Sequence, residues 1–267
     1  MVFAPGFLHL TQSPNHYKQT FMKQHYKIKL GILLFTLGFL GILSLLTMEI
    51  PIIEKLKTEM SDVFTPFQFK LLILINPTIL LTIFTVIGTS MYTKAGFQLP
   101  VFEYVTRKDK VPVDFKSLFK FGIAGGIVSG SLLSFISWIF SSDIPDALKS
   151  FSPNIFNRFF YGGITEEILM RFGLMTLFVW LFQKISKSKN QWTYWTGILL
   201  SSLLFGIGHL PIVNGLVPDP SSSLILYIIL GNSLGGIIFG WLYWKKGLES
   251  AMTAHIVTHI IFLITGV

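Results

Sequence analysis

The stretch GGITEEILMRFG, residues 162–173, places two glutamates and an arginine inside a run that is otherwise mostly apolar from about 155 to 182. One charged side chain at a bilayer centre costs about 2.5–3.5 kcal/mol on insertion scales. Three such groups on one helix therefore have to face protein or a polar cavity rather than lipid. The fold is bound by that demand, because the rest of the chain must supply helices that enclose the charges.

Composition agrees with a membrane setting. Of 267 residues, 51% are hydrophobic and 13% charged, with a mean hydropathy of +0.63, whereas soluble domains carry about 25% charged residues. Seven apolar blocks lie near 30–50, 70–92, 117–140, 155–182, 193–216, 223–244 and 248–266. Each is long enough to cross a hydrocarbon core of about 30 Å, and no loop between them is long enough for a soluble domain. The expected fold is an all-α, polytopic transmembrane helix bundle of about seven spans. It divides into a polar, flexible N-terminal tail (1–28), two first spans with their loops (29–116) and a core (117–267). No apolar h-region precedes the first block, so no cleaved signal peptide is expected. Met22, opening MKQHYKIK ahead of that block, reads as an alternative start.

Lysine and arginine alternate between rich and poor loops at every crossing, fourteen on one side and three on the other. That asymmetry predicts a cytoplasmic N-terminus and an extracytoplasmic C-terminus, and a composition rich in Lys, Ile and Phe suits the plasma (inner) membrane of a bacterium. The net charge of +8 thus reads as orientation, with membrane lipids and not nucleic acid as the expected partner. Cysteine is absent, which excludes disulfides, thiol nucleophiles and Cys-ligated metals. Small-residue rows (Gly122, Gly126 and Gly130; Gly231 and Gly235; Gly236 and Gly240) mark places where helices approach closely in lipid.

Six ionisable residues sit in the body of the spans: Glu166, Glu167, Arg171, His209, His255 and His259. The remaining three histidines lie ahead of the first block. At about 1.5 Å per residue, Glu166, His209, His255 and His259 fall within a slab of about 6 Å, so they converge if spans four, five and seven are neighbours. Glu167 and Arg171 are i,i+4 with the acid first, the better order for an ion pair. On a 3.6-residue helix Glu166 points about 100° away, which leaves it free for another partner. His209 closes FGIGH, with Phe205 one turn earlier on the same face, and His255 and His259 share a face as well.

A glutamate with two or three histidines can activate a water and stabilise an oxyanion. The same four residues can instead ligate zinc, as three protein ligands plus a water do in catalytic sites. The HExxH motif of zincins is missing. Beyond Glu166 and Glu167, the last four spans offer only Glu249 as an acid to orient a histidine ligand, and its place is near the membrane interface. A proton-coupled carrier would also hold Glu, Arg and His at mid-depth, but it should show inverted repeats, and none is visible.

TEEILMR fits the pattern EExxxR, FGIGH fits FxxxH, and AHIVTH stands in the place of HxxxN or HxxxD. In this order the three motifs resemble those of the CAAX protease and bacteriocin-processing (Abi) family of intramembrane proteases, over roughly residues 117–266. The resemblance implies an intramembrane endopeptidase acting on a hydrophobic or membrane-associated peptide. Glu166 would be the base that activates water, helped by His209. His255 and His259 would stabilise the oxyanion, and Glu167 with Arg171 and Phe205 would support the site. His259 departs from the asparagine common in the family, which keeps a hydrogen-bond donor and adds a metal ligand. No cofactor is expected, with zinc as the alternative. A non-catalytic immunity protein of the same fold is the other reading.

Overall fold

The computed structural model describes residues 14–48, 65–107, 112–151 and 153–267. Every regular element among them is helical. Helix α1 spans Pro14–Ser44 and ends in a 3₁₀ turn, Leu45–Thr47. Then follow α2 (Pro66–Ala95), short α3 (Pro100–Thr106), α4 (Phe115–Ile139) and short α5 (Asp146–Ser150). The continuous helical stretch α6 covers Asn157–Ser186. It is followed by α7 (Gln191–Ile207), α8 (Leu210–Leu216), α9 (Ser222–Lys246) and α10 (Leu248–Thr265). Among the described residues, seven stretches are long and apolar enough to cross a membrane: α1 from His25, α2, α4, α6, α7 with α8, α9 and α10. These are the seven blocks of the sequence. Helix α1, however, begins at Pro14, so residues 14–28 are helical where the sequence reads as a tail, and residues 1–13 lie outside the described residues.

Two local departures from a regular helix shape the interior. The first is in α6, which is wound as π-helix over Asn157–Glu166 and again over Ile168–Met175 before becoming α-helical at Thr176. π turns are rare and mostly single-turn bulges, often at functional sites. Threonine hydroxyls reinforce the wide turn here: Thr165 Oγ1 donates to the Phe160 carbonyl (3.1 Å) and Thr176 Oγ1 to the Arg171 carbonyl (3.3 Å), both five residues back. The 3.6-residue angles expected around Glu166 are therefore replaced by a wider winding. The second is the seam between α7 and α8. The sequence reads 193–216 as one run, but Pro211 in the first turn of α8 lacks an N–H and crowds the preceding turn. The helix stops at Ile207, and Gly208 and His209 form a tight turn in which the His209 N–H donates to Gly206 (3.2 Å).

Helix α6 lies inside the bundle. Its first π stretch packs on α1, its second on α2 and α7, and α10 also leans on it, while α4 pairs with α10 and α9 packs on both α7 and α10. Polar ties cross to α1: the single Thr165 hydroxyl proton is shared between the Phe160 carbonyl and the nearer Gly38 carbonyl (2.8 Å), and Asn157 Nδ2 donates to the Ser44 carbonyl (2.6 Å). The row Gly122, Gly126, Gly130 meets Thr253, Val257 and Ile261 of α10 one turn at a time, as a small-residue seam should. The second row is used less evenly, since Gly236 and Gly240 meet Ser202 and Ile198 whereas Gly231 faces open space.

At the lysine-rich end the segment after α2 folds back onto the core. Phe97 stacks on Tyr243 (4.3 Å) and meets Tyr194 edge-on (5.6 Å). Glu249, in the first turn of α10 at this end, is buried within the protein. Its Oε1 accepts from the Val101 and Phe102 N–H groups (2.8 Å each), supplying from α10 the N-terminal cap that α3 lacks.

The tightest seam makes a stability prediction. A Cβ at Gly41 would run into the Thr165 hydroxyl and the Phe160 carbonyl, so Gly41→Leu should lose at least about 1–3 kcal/mol through overpacking. Gly231→Leu, which meets nothing, should stay within about 0.5 kcal/mol. Melting of both variants in the same detergent checks the contrast, and equal losses would place α1 wrongly against α6.

Candidate active site

The two glutamates that adjoin in sequence differ in burial. The Glu167 side chain is 0% exposed and that of Glu166 18%. Glu167 Oε1 lies 3.2 Å from Arg171 Nη1, the ion pair expected from their spacing. The same oxygen is 2.8 Å from His255 Nδ1, a link that the sequence does not announce. An ionised carboxylate only accepts, so the Nδ1 proton points at Glu167. Nε2 is turned to the other side, where Glu166 Oε2 lies 3.9 Å away. His255 thus stands between the two acids, hydrogen-bonded to Glu167 and 3.9 Å from Glu166.

Aromatic rings fix the remaining directions. Arg171 lies over Phe205 (4.8 Å) and Phe239 (5.3 Å), contacts worth about 0.5–2 kcal/mol each. The His255 ring is sandwiched between Phe239 (4.6 Å, 21°) and His259 (4.9 Å, 18°), with Phe205 edge-on at 6.3 Å. Phe205 and Phe239 therefore each touch both Arg171 and His255. Phe239 comes from α9, so the site is built on α6, α7, α9 and α10 rather than on three spans alone. Nothing in the sequence singles it out among 26 phenylalanines.

His209 joins through Phe205. Its Nδ1 meets the Phe205 carbonyl at 2.8 Å, and its ring sits edge-to-face on the Phe205 ring at 4.8 Å. A carbonyl accepts, so Nδ1 carries the proton and Nε2 is left as the free nitrogen. No hydrogen bond connects His209 to Glu166. His259 is seated against the glycine pair of the opening stretch: a Cβ at Gly162 would lie 2.6 Å from its Nε2, and one at Gly163 would strike Ile256. These two glycines let α10 approach α6 closely enough for the histidines to meet the glutamates. Among the described residues, no group of three or more His, Asp or Glu side chains is placed to share one metal ion.

Residues 149–261 match the family model described as Type II CAAX prenyl endopeptidase Rce1-like. No curated protein and no solved structure matches the chain. The match agrees with the resemblance read from the motifs and contains the seven site residues expected from the sequence as well as Phe239. It begins after α4, so the block 117–140, which the motif-based resemblance took in, lies outside it.

The shared Glu167 carboxylate separates two variants that differ by one position. Glu167→Gln leaves Arg171 buried without a counter-charge and should cost about 3–5 kcal/mol. Glu166→Gln breaks no pair closer than 3.9 Å and should cost under about 1 kcal/mol. Thermal melting of the two variants beside the parent chain checks the order, and a reversal would mean that the wrong acid is assigned to Arg171.

Proposed function

We propose that this chain, whose residues 149–261 carry the match to Rce1-like type II CAAX prenyl endopeptidases, is an intramembrane endopeptidase that cleaves a membrane-associated or membrane-entering peptide. The observation that carries this reading is the accessible Glu166 carboxylate facing a histidine nitrogen, with the other nitrogen of that ring held by a sealed carboxylate. A water beside Glu166 gives its proton to the carboxylate while its oxygen attacks the scissile carbonyl carbon. The carbonyl π pair becomes an oxyanion that accepts from His255 Nε2–H and from His259. Glu166 then hands its proton to the leaving amine nitrogen, the C–N bond breaks, and a carboxylic acid and an amine are released. His209, its Nδ1 proton committed to the Phe205 carbonyl, offers Nε2 to orient the water.

Charge balance supports the oxyanion role of His255. With Nδ1–H donated to Glu167, Nε2 donates only when the ring is fully protonated. Two ionised glutamates, Arg171 and a protonated His255 then sum to zero, so the proposed donor leaves no net charge in the interior. The orientation we propose follows the lysine asymmetry, with the N-terminus in the cytoplasm of a bacterial cell.

A reaction without zinc is part of this reading. The His255 and His259 rings lie face to face and nearly parallel, so their in-plane lone pairs run side by side and do not converge at the 2.0–2.1 Å that zinc requires. A dication would also share the interior with Arg171. The orienting partners that histidine ligands would need are nevertheless present, one of them among the acids the sequence offered. Glu167 backs His255, and the Phe205 carbonyl backs His209.

Two experiments test the proposal. Membrane peptides from cells carrying the parent chain or Glu166→Gln should differ by at least one cut product, and on that substrate the variant should lose about 10²-fold or more in rate. Retention of more than about a tenth of the rate would remove Glu166 from the base role. Elemental analysis of active, chelator-washed protein should find far less than one zinc per chain. Stoichiometric zinc, with activity lost on stripping and regained on re-addition, would replace this mechanism by a metal-bound hydroxide.

A further inference from the structure

A cavity of about 600 Å³ opens at the lysine-rich end between the ends of α2, α4 and α9, with α3 in its wall. Its size suits a ligand of several dozen atoms or fewer. Leu118, Tyr243 and Trp244 give it an apolar side, while Ser117, Lys245 and Lys246 give it a basic one. Two carboxylates also line it, and both are engaged. Glu103 pairs with Arg107 at 3.3 Å, and Asp114 caps α4 by accepting the Ser117 N–H at 2.9 Å. The two lysines have no such partner, since no carboxylate pairs with either among the described residues. Lys245 Nζ lies over the Trp244 ring at 3.4 Å, and Lys246 Nζ lies over Phe121 at 3.8 Å and 3.5 Å from Ser117 Oγ. With Glu103 offset by Arg107 and Asp114 counted against the two lysines, the lining carries one net positive charge beside an apolar wall.

We infer that this cavity binds the phosphate of an anionic membrane lipid, going beyond the peptidase reading and independent of it. Lys246 Nζ and Ser117 Oγ are close enough for one phosphate oxygen to take both, and Lys245 at the rim adds a second charge. Lysine suits this use as a compact charge on a flexible stem. Three observations favour a lipid over a soluble anion. The cavity lies at the ends of three spans, Trp244 and Trp195 stand together beside it (6.1 Å) as interface residues do, and its apolar side can take the glycerol and first methylenes. Basic pockets between transmembrane helices bind anionic headgroups in this way.

The test uses the full chain in a neutral detergent. Phosphatidylglycerol in roughly hundred-fold excess over its dissociation constant should raise the melting temperature by about 5 °C or more. Phosphatidylcholine should leave it unchanged. Lys245→Gln/Lys246→Gln should melt like the parent chain without lipid and lose the rise, and Lys246→Arg should keep it. Should the double variant fail to fold, Ser117→Ala and Lys245→Gln singly should each weaken the response to phosphatidylglycerol. An equal rise with phosphatidylcholine, or an undiminished rise in the glutamine variants, would overturn the site. A rise produced by inorganic phosphate alone would overturn the lipid assignment in favour of a soluble phosphate.

Discussion

One carboxylate oxygen, Glu167 Oε1, carries the interior of this bundle. It lies 3.2 Å from Arg171 and 2.8 Å from His255, in a place fully withdrawn from solvent. Removing one partner of a buried ion pair leaves an uncompensated charge, which is far more costly than the pair is stabilising. Neither Arg171 nor Glu167 can therefore relax independently, and His255 is oriented by the same constraint. Phe205 and Phe239 close over the arginine from α7 and α9. Four helices thus meet around a single anionic atom.

The helix that bears this atom is one that its neighbours must hold. A π-wound segment has poorer intrinsic stability than an α-helix, which is why such turns are usually short. Helix α6 sustains two of them in succession between α1, whose Gly41 meets Phe160 and Thr165 and whose Gly38 carbonyl takes the Thr165 hydroxyl, and α2, whose Gly88 meets Phe172. The first two spans contribute no residue to the site. They pack on the two π-wound stretches of α6, and they lie outside the family match over 149–261.

Differences of access divide the two adjacent acids. Glu167 is sealed and neutralised, whereas Glu166 keeps an open edge beside His255 Nε2. In the proposed reaction the sealed acid sets direction and the open one moves the proton. Glu249 shows the same economy of buried carboxylates at the other end of α10, where it satisfies the N-terminus of α3 and ties the segment after α2 to the helix that carries the site histidines.

By itself the sequence determined the seven spans and the i,i+4 pair of Glu167 with Arg171. Each is a matter of hydropathy or local spacing, which lipid and helix geometry enforce without reference to other segments. Tertiary structure alone decided what those residues meet. The π winding of α6 depends on helices far away in sequence. The break before Pro211 is signalled in the sequence, but which way it turns His209 is not. Phe239 became part of the site only because α9 lies between α7 and α10. Glu249 became a cap because α3 folds back to reach it. Spacing fixes what one helix presents; which ring or carbonyl stands opposite is fixed by packing between helices, and periodicity carries no record of that.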